Sequence, residues 1–488
     1  MVKERKRSTR FIIAACIIGI LAIVAGGIIF LVGLGQLDWN FANIDQEVLT
    51  AAEDFVSEQF VDTVSLQGNW DFEIHAGDEF RVQFFTSNHY RISLSVNMQQ
   101  GGNYAFSFTE ERTASWLQTA FGNARRNLRV IVTVPTDRID LTVSGGSIGI
   151  IAHDINFYSV NISGSSGRHD FRNVDVKYNF LLRGSSTHLS LINTTIGGRF
   201  ESDGSSTRFD FRSIEVAQSL AISGNSVHLN LLRSAIGGIL HIQGSSTRLG
   251  LANVTMAEMY LRGNSIHVTT YRVIVENTVT VGGSSLRWNS SHTALGGFVG
   301  TGSSMRINLL HSTVERLLAT DGSSNRVNLY RSAVQHINLR GSSTHLDGIN
   351  ADISSVTARG SSVRINLLLI GTQADLGRLS ATGSSTRLTL DGTETRNNAA
   401  NWQGSGFKNF TADGSSVRVV IAMTGGQTAF IPEGWGTEII LPEICLEQDD
   451  GLFVPPASNN PFDPGFWTRV TRGGYIGIRC NVYGCRVC

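Results

Sequence analysis

Proline is nearly missing from the long middle of this sequence. Seven prolines occur in 488 residues, and none lies between Val143 and Gly425. Proline cannot donate to a strand ladder, so its absence leaves that whole stretch open to continuous β pairing. Lysine is almost missing too, standing only at Lys3, Lys6, Lys177 and Lys408, so the basic residues are nearly all arginine. Forty basic residues balance forty acidic ones, which argues against a general nucleic-acid binder. There is no H-E-x-x-H, no P-loop and no Gly-Asp calcium repeat. No catalytic, cofactor-binding or metal-binding residue is assigned, and no cofactor is expected.

What is present is a glycine that returns about every 20 residues. It stands at Gly164, Gly184, Gly204, Gly224, Gly244, Gly263, Gly283, Gly302, Gly322, Gly341, Gly360, Gly383 and Gly414. A serine follows two residues later each time, from Ser166 to Ser416, and Arg or His follows four residues later. A fixed short period means one structural unit stacked on itself. The fifth residue is apolar in all copies but one, as in Leu189, Phe209, Leu229, Trp288 and Ile307; His169 is the exception. The seventh is mostly apolar, and the sixth is small or polar, as in Asp170, Asp210, Asn230 and Asn308. That alternation is a strand with one face buried. Another strand runs into the glycine, and a third apolar row lies twelve residues after it, from Val176 to Ile353. The expectation is an all-β fold, a parallel β-solenoid, with a Gly-Ser-Ser corner where glycine supplies positive φ. Thirteen coils at strand spacing give a rod on the order of 60 Å long. The sixth position should face outward, so Asn230→Asp should be cheap.

The chain divides into six parts. Residues 1–10 form a short basic segment and 11–35 an uncharged apolar run, long enough to span a bilayer. The positive flank places the C-terminal bulk outside the cytoplasmic membrane, as a single-pass protein. A cleaved signal peptide is the rival reading. Residues 36–60 carry Ile44, Val48, Ala52, Phe55 and Val56 at helical spacing, expected as a membrane-proximal amphipathic helix. Residues 61–140 alternate with period two and read as early coils or a capping sheet. The regular solenoid covers 141–424. Residues 425–488 form a Pro/Cys-rich tail or cap, with Cys445, Cys480, Cys485 and Cys488 expected to make two disulfides outside the cell. Zinc is the alternative for these four.

The string Arg129–Gly149, the period-two strands before it and the Gly-Ser-rich coils after it resemble the bacterial putative-adhesin family of β-solenoid envelope proteins. The resemblance covers roughly residues 61–424. It implies a bacterial, membrane-anchored β-solenoid linked to adhesion or envelope sensing, and it carries no catalytic signature.

The candidate ligand row is Arg168, His188, Arg208, His228, Arg248, His267, Arg287, Arg306, Arg326, His345, Arg364, Arg387 and Arg418. These point outward, about 5 Å apart. Like charges stacked along a ladder are destabilising and ask for counter-ions. A linear anion such as a wall polymer, or phospholipid headgroups, would supply them, and Arg suits bidentate phosphate contacts. A solvated face of arginine stems covering the sheet is the plainer account of the same row. His188, His228, His267 and His345 are expected to gain charge below about pH 6.5 and tighten anion binding. Three function classes follow: a non-catalytic surface-binding module, a structural scaffold of the envelope, and a carbohydrate-active enzyme. The corner serines recur thirteen times, which marks a corner and not a nucleophile.

Overall fold

The computed structural model describes residues 50–57, 61–86, 90–99, 103–112, 129–135, 139–349, 351–369, 378–392, 410–422, 478–481 and 484–487. The apolar segment 11–35 and Cys445 and Cys488 lie outside them. Among the described residues no helix is long and apolar enough to cross a membrane.

The repeats wind into a parallel β-solenoid of about 12 turns. Successive coils pair residue for residue: Ser186–Ile196 lies parallel to Ser206–Val216, with Leu189 opposite Phe209 and Ser186 opposite Ser206. The fifth-position row is the core. Leu189, Phe209, Leu229, Trp288, Ile307 and Val327 are fully buried, as is the row from Val176 to Ile353. Phe180, Phe200, Phe209 and Phe211 fill the early coils, with ring centroids 5.3–5.7 Å apart. His169, the one polar residue of the row, is also buried, and burial followed by the nearby His188 lowers its pKa to about 4.

The corner glycines are required for a reason other than the expected one. Among the described glycines only Gly68 and Gly414 have positive φ. At Gly184 a Cβ would lie 2.2 Å from the carbonyl oxygen of Gly164 in the coil below. At Gly263 the same contact with Gly244 would be 1.8 Å. The glycines exist because each corner rests directly on the backbone of the last, leaving no room for a side chain.

Left-handed backbone is found at a second corner that the repeat pattern did not reveal. Nine residues after each glycine from Gly164 to Gly322, at Asn173, Asn193, Ser213, Arg233, Asn253, Arg272, His292, His311 and Arg331, φ lies between 45° and 53°. Asn tolerates this region and forms its own ladder, Asn193 Nδ2 donating to Asn173 Oδ1 at 3.0 Å. Arg233 is exposed and gains nothing comparable from the conformation. Arg233→Gly is therefore expected to stabilise the protein by about 0.5 kcal/mol, the left-handed cost removed less the unfolded-state entropy of glycine. Arg233→Val should destabilise it by about 1 kcal/mol. Melting curves of the two variants should bracket the wild type; two variants shifting in the same direction would refute the assignment.

The N-terminal end is a mixed cap. Strands β1 (Thr50–Ser57), β2 (Thr63–Gln67), β3 (Asp71–Gly77), β4 (Phe80–Thr86), β5 (Tyr90–Gln99), β6 (Asn103–Arg112) and β7 (Arg129–Pro135) lead into β8 (Ile139–His153). Here β2 and β3 run parallel to β8, whereas β4 runs antiparallel to β1 and β7. The helix expected over residues 36–60 is corrected where the chain is described: Thr50–Ser57 is a strand. Phe55 explains the choice. Its ring packs 6.3 Å from Phe80, 6.1 Å from Tyr104 and 5.6 Å from Phe106, contacts that a strand paired with β4 provides. Tertiary packing outweighs a short helical period.

In the tail, Ile478–Asn481 and Gly484–Val487 form an antiparallel pair with Cys480 opposite Cys485.

Candidate functional site

The Arg/His row is in register along the solenoid. His188 pairs with Arg168 and Arg208, Arg208 with His228, Arg248 with His267, and His267 with Arg287. Arg306, Arg326, His345, Arg364, Arg387 and Arg418 continue the series. Arg168, Arg208, Arg248 and Arg387 are exposed. The members from His267 to Arg364 are half-buried, so the row sinks into the surface over that stretch.

The sixth-position row is not the open outward face that alternation implies. Asn230, Asn289, Asn308, Asn328, Asp347 and Asn366 are all buried, at 2–8% exposure. They project from the same side as the Arg/His row and are closed in by their neighbours. Buried amides need partners, and here they find one another. Asn308 Nδ2 donates to Asn289 Oδ1 at 2.7 Å, and Asn328 Nδ2 to Asn308 Oδ1 at 2.6 Å. Asn230 Nδ2 donates to Asp210 Oδ1 at 2.7 Å, and Asn366 Nδ2 to Asp347 Oδ1 at 2.6 Å.

Carboxylates compensate the row on either side of its middle. Arg172, outside the row, holds Asp170 at 2.7 Å; within it, His188 lies 3.0 Å and Arg208 3.3 Å from Asp210. Burial alone would push the Asp210 carboxyl up. Hydrogen bonds from His188 and Asn230 and the Arg208 charge outweigh it and hold the group well below the usual carboxylate range. Farther along, His345 Nε2 donates to Asp347 Oδ1 at 2.9 Å, and Arg326 Nη2 lies 3.5 Å from His345 Nδ1. Between Asp210 and Asp347 the sixth positions are Asn230, Gly250, Thr269, Asn289, Asn308 and Asn328, and none is acidic.

The histidines report the resulting field. Burial first, then Arg287 and Arg248, lowers the pKa of His267 to about 4. Burial, then Arg208 and Arg248, lowers that of His228. The expectation that these two charge near pH 6.5 is therefore corrected. Burial and cationic neighbours favour the neutral ring, so His228 gains charge later than a free imidazole on acidification, and His267 only well below pH 6.5.

Other chemistry stays local. The string Gly145-Gly146-Ser147-Ile148-Gly149 has the G-x-S-x-G spacing of a nucleophile elbow, which the reading by repeats overlooked. It lies inside β8, with Gly145 opposite Gly164 and Ser147 opposite Ser166, so it is a repeat corner and not a strand-to-helix turn. A trough of about 1520 Å³ follows the glycine corners from Gly145 to Gly302. Among the described residues no group of three or more His, Cys, Asp or Glu is placed to hold a metal ion.

No family model and no curated protein matches the sequence. A solved structure that it is similar to is a "putative cell adhesion protein" from Clostridium sporogenes, at 7% identity and a TM-score of 0.18. The match covers 64% of this chain and 100% of that one.

Proposed function

We propose that this chain is a non-catalytic, adhesin-like binding module that holds an extended anionic polymer along the Arg248–Arg326 run of its Arg/His row. Residues 11–35 would anchor it, with the solenoid displayed outside the cell. The observation that carries the reading is the run from Arg248 to Arg326, where five cationic or imidazole side chains stack in register with no carboxylate in the adjoining row. A protein that tolerates this repulsion gains when an external anion neutralises it. The row is one residue wide and many coils long. That shape fits a chain-like ligand better than a plane of lipid headgroups.

Changing Arg287, Arg306 and Arg326 together to Gln removes three adjacent charges and leaves the core untouched. Charge-assisted contacts are worth about 1.5–3 kcal/mol each, so the triple variant should bind anionic cell-wall polymer at least about tenfold more weakly at physiological salt. Wild-type binding should fall as salt rises. Because His267 remains neutral there, it should add nothing to affinity between pH 7 and 6. Wild type that shows no salt-sensitive binding, or a variant that binds equally well, would remove the proposal. Binding to anionic liposomes in place of polymer would make the ligand a membrane surface.

A further inference from the structure

Two donors in the central run are sealed from water and meet no acceptor: Arg287 Nε and Asn289 Nδ2. Asn289 is only 5% exposed. The two residues are two apart on one strand, Ser285–Ser291, and so project from the same face. We propose that Arg287 and Asn289 form an oxyanion subsite within the row, built to take one phosphate-type group of the polymer. This rests on the reading of the row as a polymer-binding edge and narrows it to one place.

The amide chain explains why the vacancy falls at Asn289. Side-chain amides along this row donate backwards, from each coil to the one before. At Asp210 and Asp347 the acceptor is a carboxylate, so the amide there has to be the donor. Asn328 donates to Asn308, and Asn308 to Asn289. The next residue back is Thr269, opposite Asn289 in the register, and no bond forms. Asn289 is thus the last link, and its N–H groups are unspent. Beside it, Arg287 is flanked by His267 and Arg306. Nε together with a guanidinium Nη offers a two-toothed edge, and the amide adds a third N–H. Three donors on one strand face suit a tetrahedral oxyanion. Arg287 is half-buried, and a ligand would reach the sealed donors as the guanidinium turns outward.

Arg364 shows what the same position looks like without a site. Its Nε is also buried and unpartnered, but the orphan two residues on is Asn366 Oδ1, an acceptor. Asp347 lies in the preceding coil, hydrogen-bonded to the Asn366 amide. An anion would be repelled there, so Arg364 serves as the internal control.

The test uses the full chain, with inorganic polyphosphate as probe and inorganic phosphate as competitor. Asn289→Asp and Arg364→Gln each remove one unit of net charge. Asn289→Asp should fold, since Asn308 can donate to the new carboxylate as Asn230 does to Asp210. Arg287→Lys keeps the charge and removes the forked edge. Asn289→Asp and Arg287→Lys should each weaken polyphosphate binding about tenfold, and Arg364→Gln less than about threefold. Free phosphate should compete with wild type and not with Asn289→Asp. Equal losses for Asn289→Asp and Arg364→Gln, with Arg287→Lys unchanged, would overturn the subsite and leave the polymer reading standing. A wild type that binds no polyphosphate overturns both. Binding to phosphatidylglycerol vesicles but not to polyphosphate overturns the polymer as the source of the phosphate.

Discussion

Leu229→Asp is expected to unfold the centre of the solenoid. Leu229 is fully buried, and it pairs with Phe209 in the coil before. The substitution removes an apolar side chain and puts a carboxylate where no cation or donor awaits it. Loss of packing and burial of an unpaired charge together should cost about 4 kcal/mol or more. The neighbouring Asn230→Asp is the informative comparison. An outward sixth position would make it nearly free. In the structure Asn230 is buried and donates to Asp210, so the variant sets two carboxylates against each other and loses that bond. It should cost about 2 kcal/mol, less than Leu229→Asp but far from nothing. Denaturant midpoints of the two variants settle the order. An unchanged midpoint for Asn230→Asp would mean that the row is open to water after all.

Gly302→Ala should be nearly as damaging, although it adds one methyl group. Its Cβ would lie 1.7 Å from the carbonyl oxygen of Gly283, an overlap no rotamer can relieve because both partners are backbone. The coils must separate there. The nearby ladder bonds between those two coils, Ser304 N–H to Ser284 O and Gly283 N–H to Thr301 O, both at 2.9 Å, are then lost or stretched. A loss of about 3 kcal/mol or more is expected. Because each coil touches only its neighbours, melting should split into separate transitions for the two sides of the break. Gly282→Ala is the control: its Cβ would meet nothing closer than Thr301 Oγ1 at 3.5 Å, an ordinary contact. Comparable melting of the two alanine variants would show that the corner glycines serve some purpose other than close stacking.

The candidate site was partly legible in the chain. The Arg/His row can be read from a fixed offset to glycine, because parallel in-register stacking turns a sequence period directly into a spatial line. Its electrostatic character could not be read that way. Asp170, Asp210 and Asp347 are scattered in sequence, and only the coil-to-coil register shows that they flank the run from Arg248 to Arg326, whose own sixth positions carry no carboxylate. The direction of the Asn308 and Asn328 amides, and hence the unspent donor of Asn289, is likewise a matter of side-chain geometry.

The sequence alone determined the architecture: a 20-residue period, an apolar fifth and twelfth position, and a proline-free middle admit little but a stacked parallel solenoid. It did so because those features are local and repeated, so each coil restates the same instruction. What only the tertiary structure decided is everything that depends on a neighbour. Glycine at the corner answers to a carbonyl one coil away, not to its own φ. Arg233, His292 and Arg331 accept left-handed backbone because the coil must turn there, against their own preference. Thr50–Ser57 is a strand because β4 and the rings of Phe80, Tyr104 and Phe106 are there to receive it. The burial of Asn289 comes from the rows that close over it, and alternation along a single strand contains no record of them.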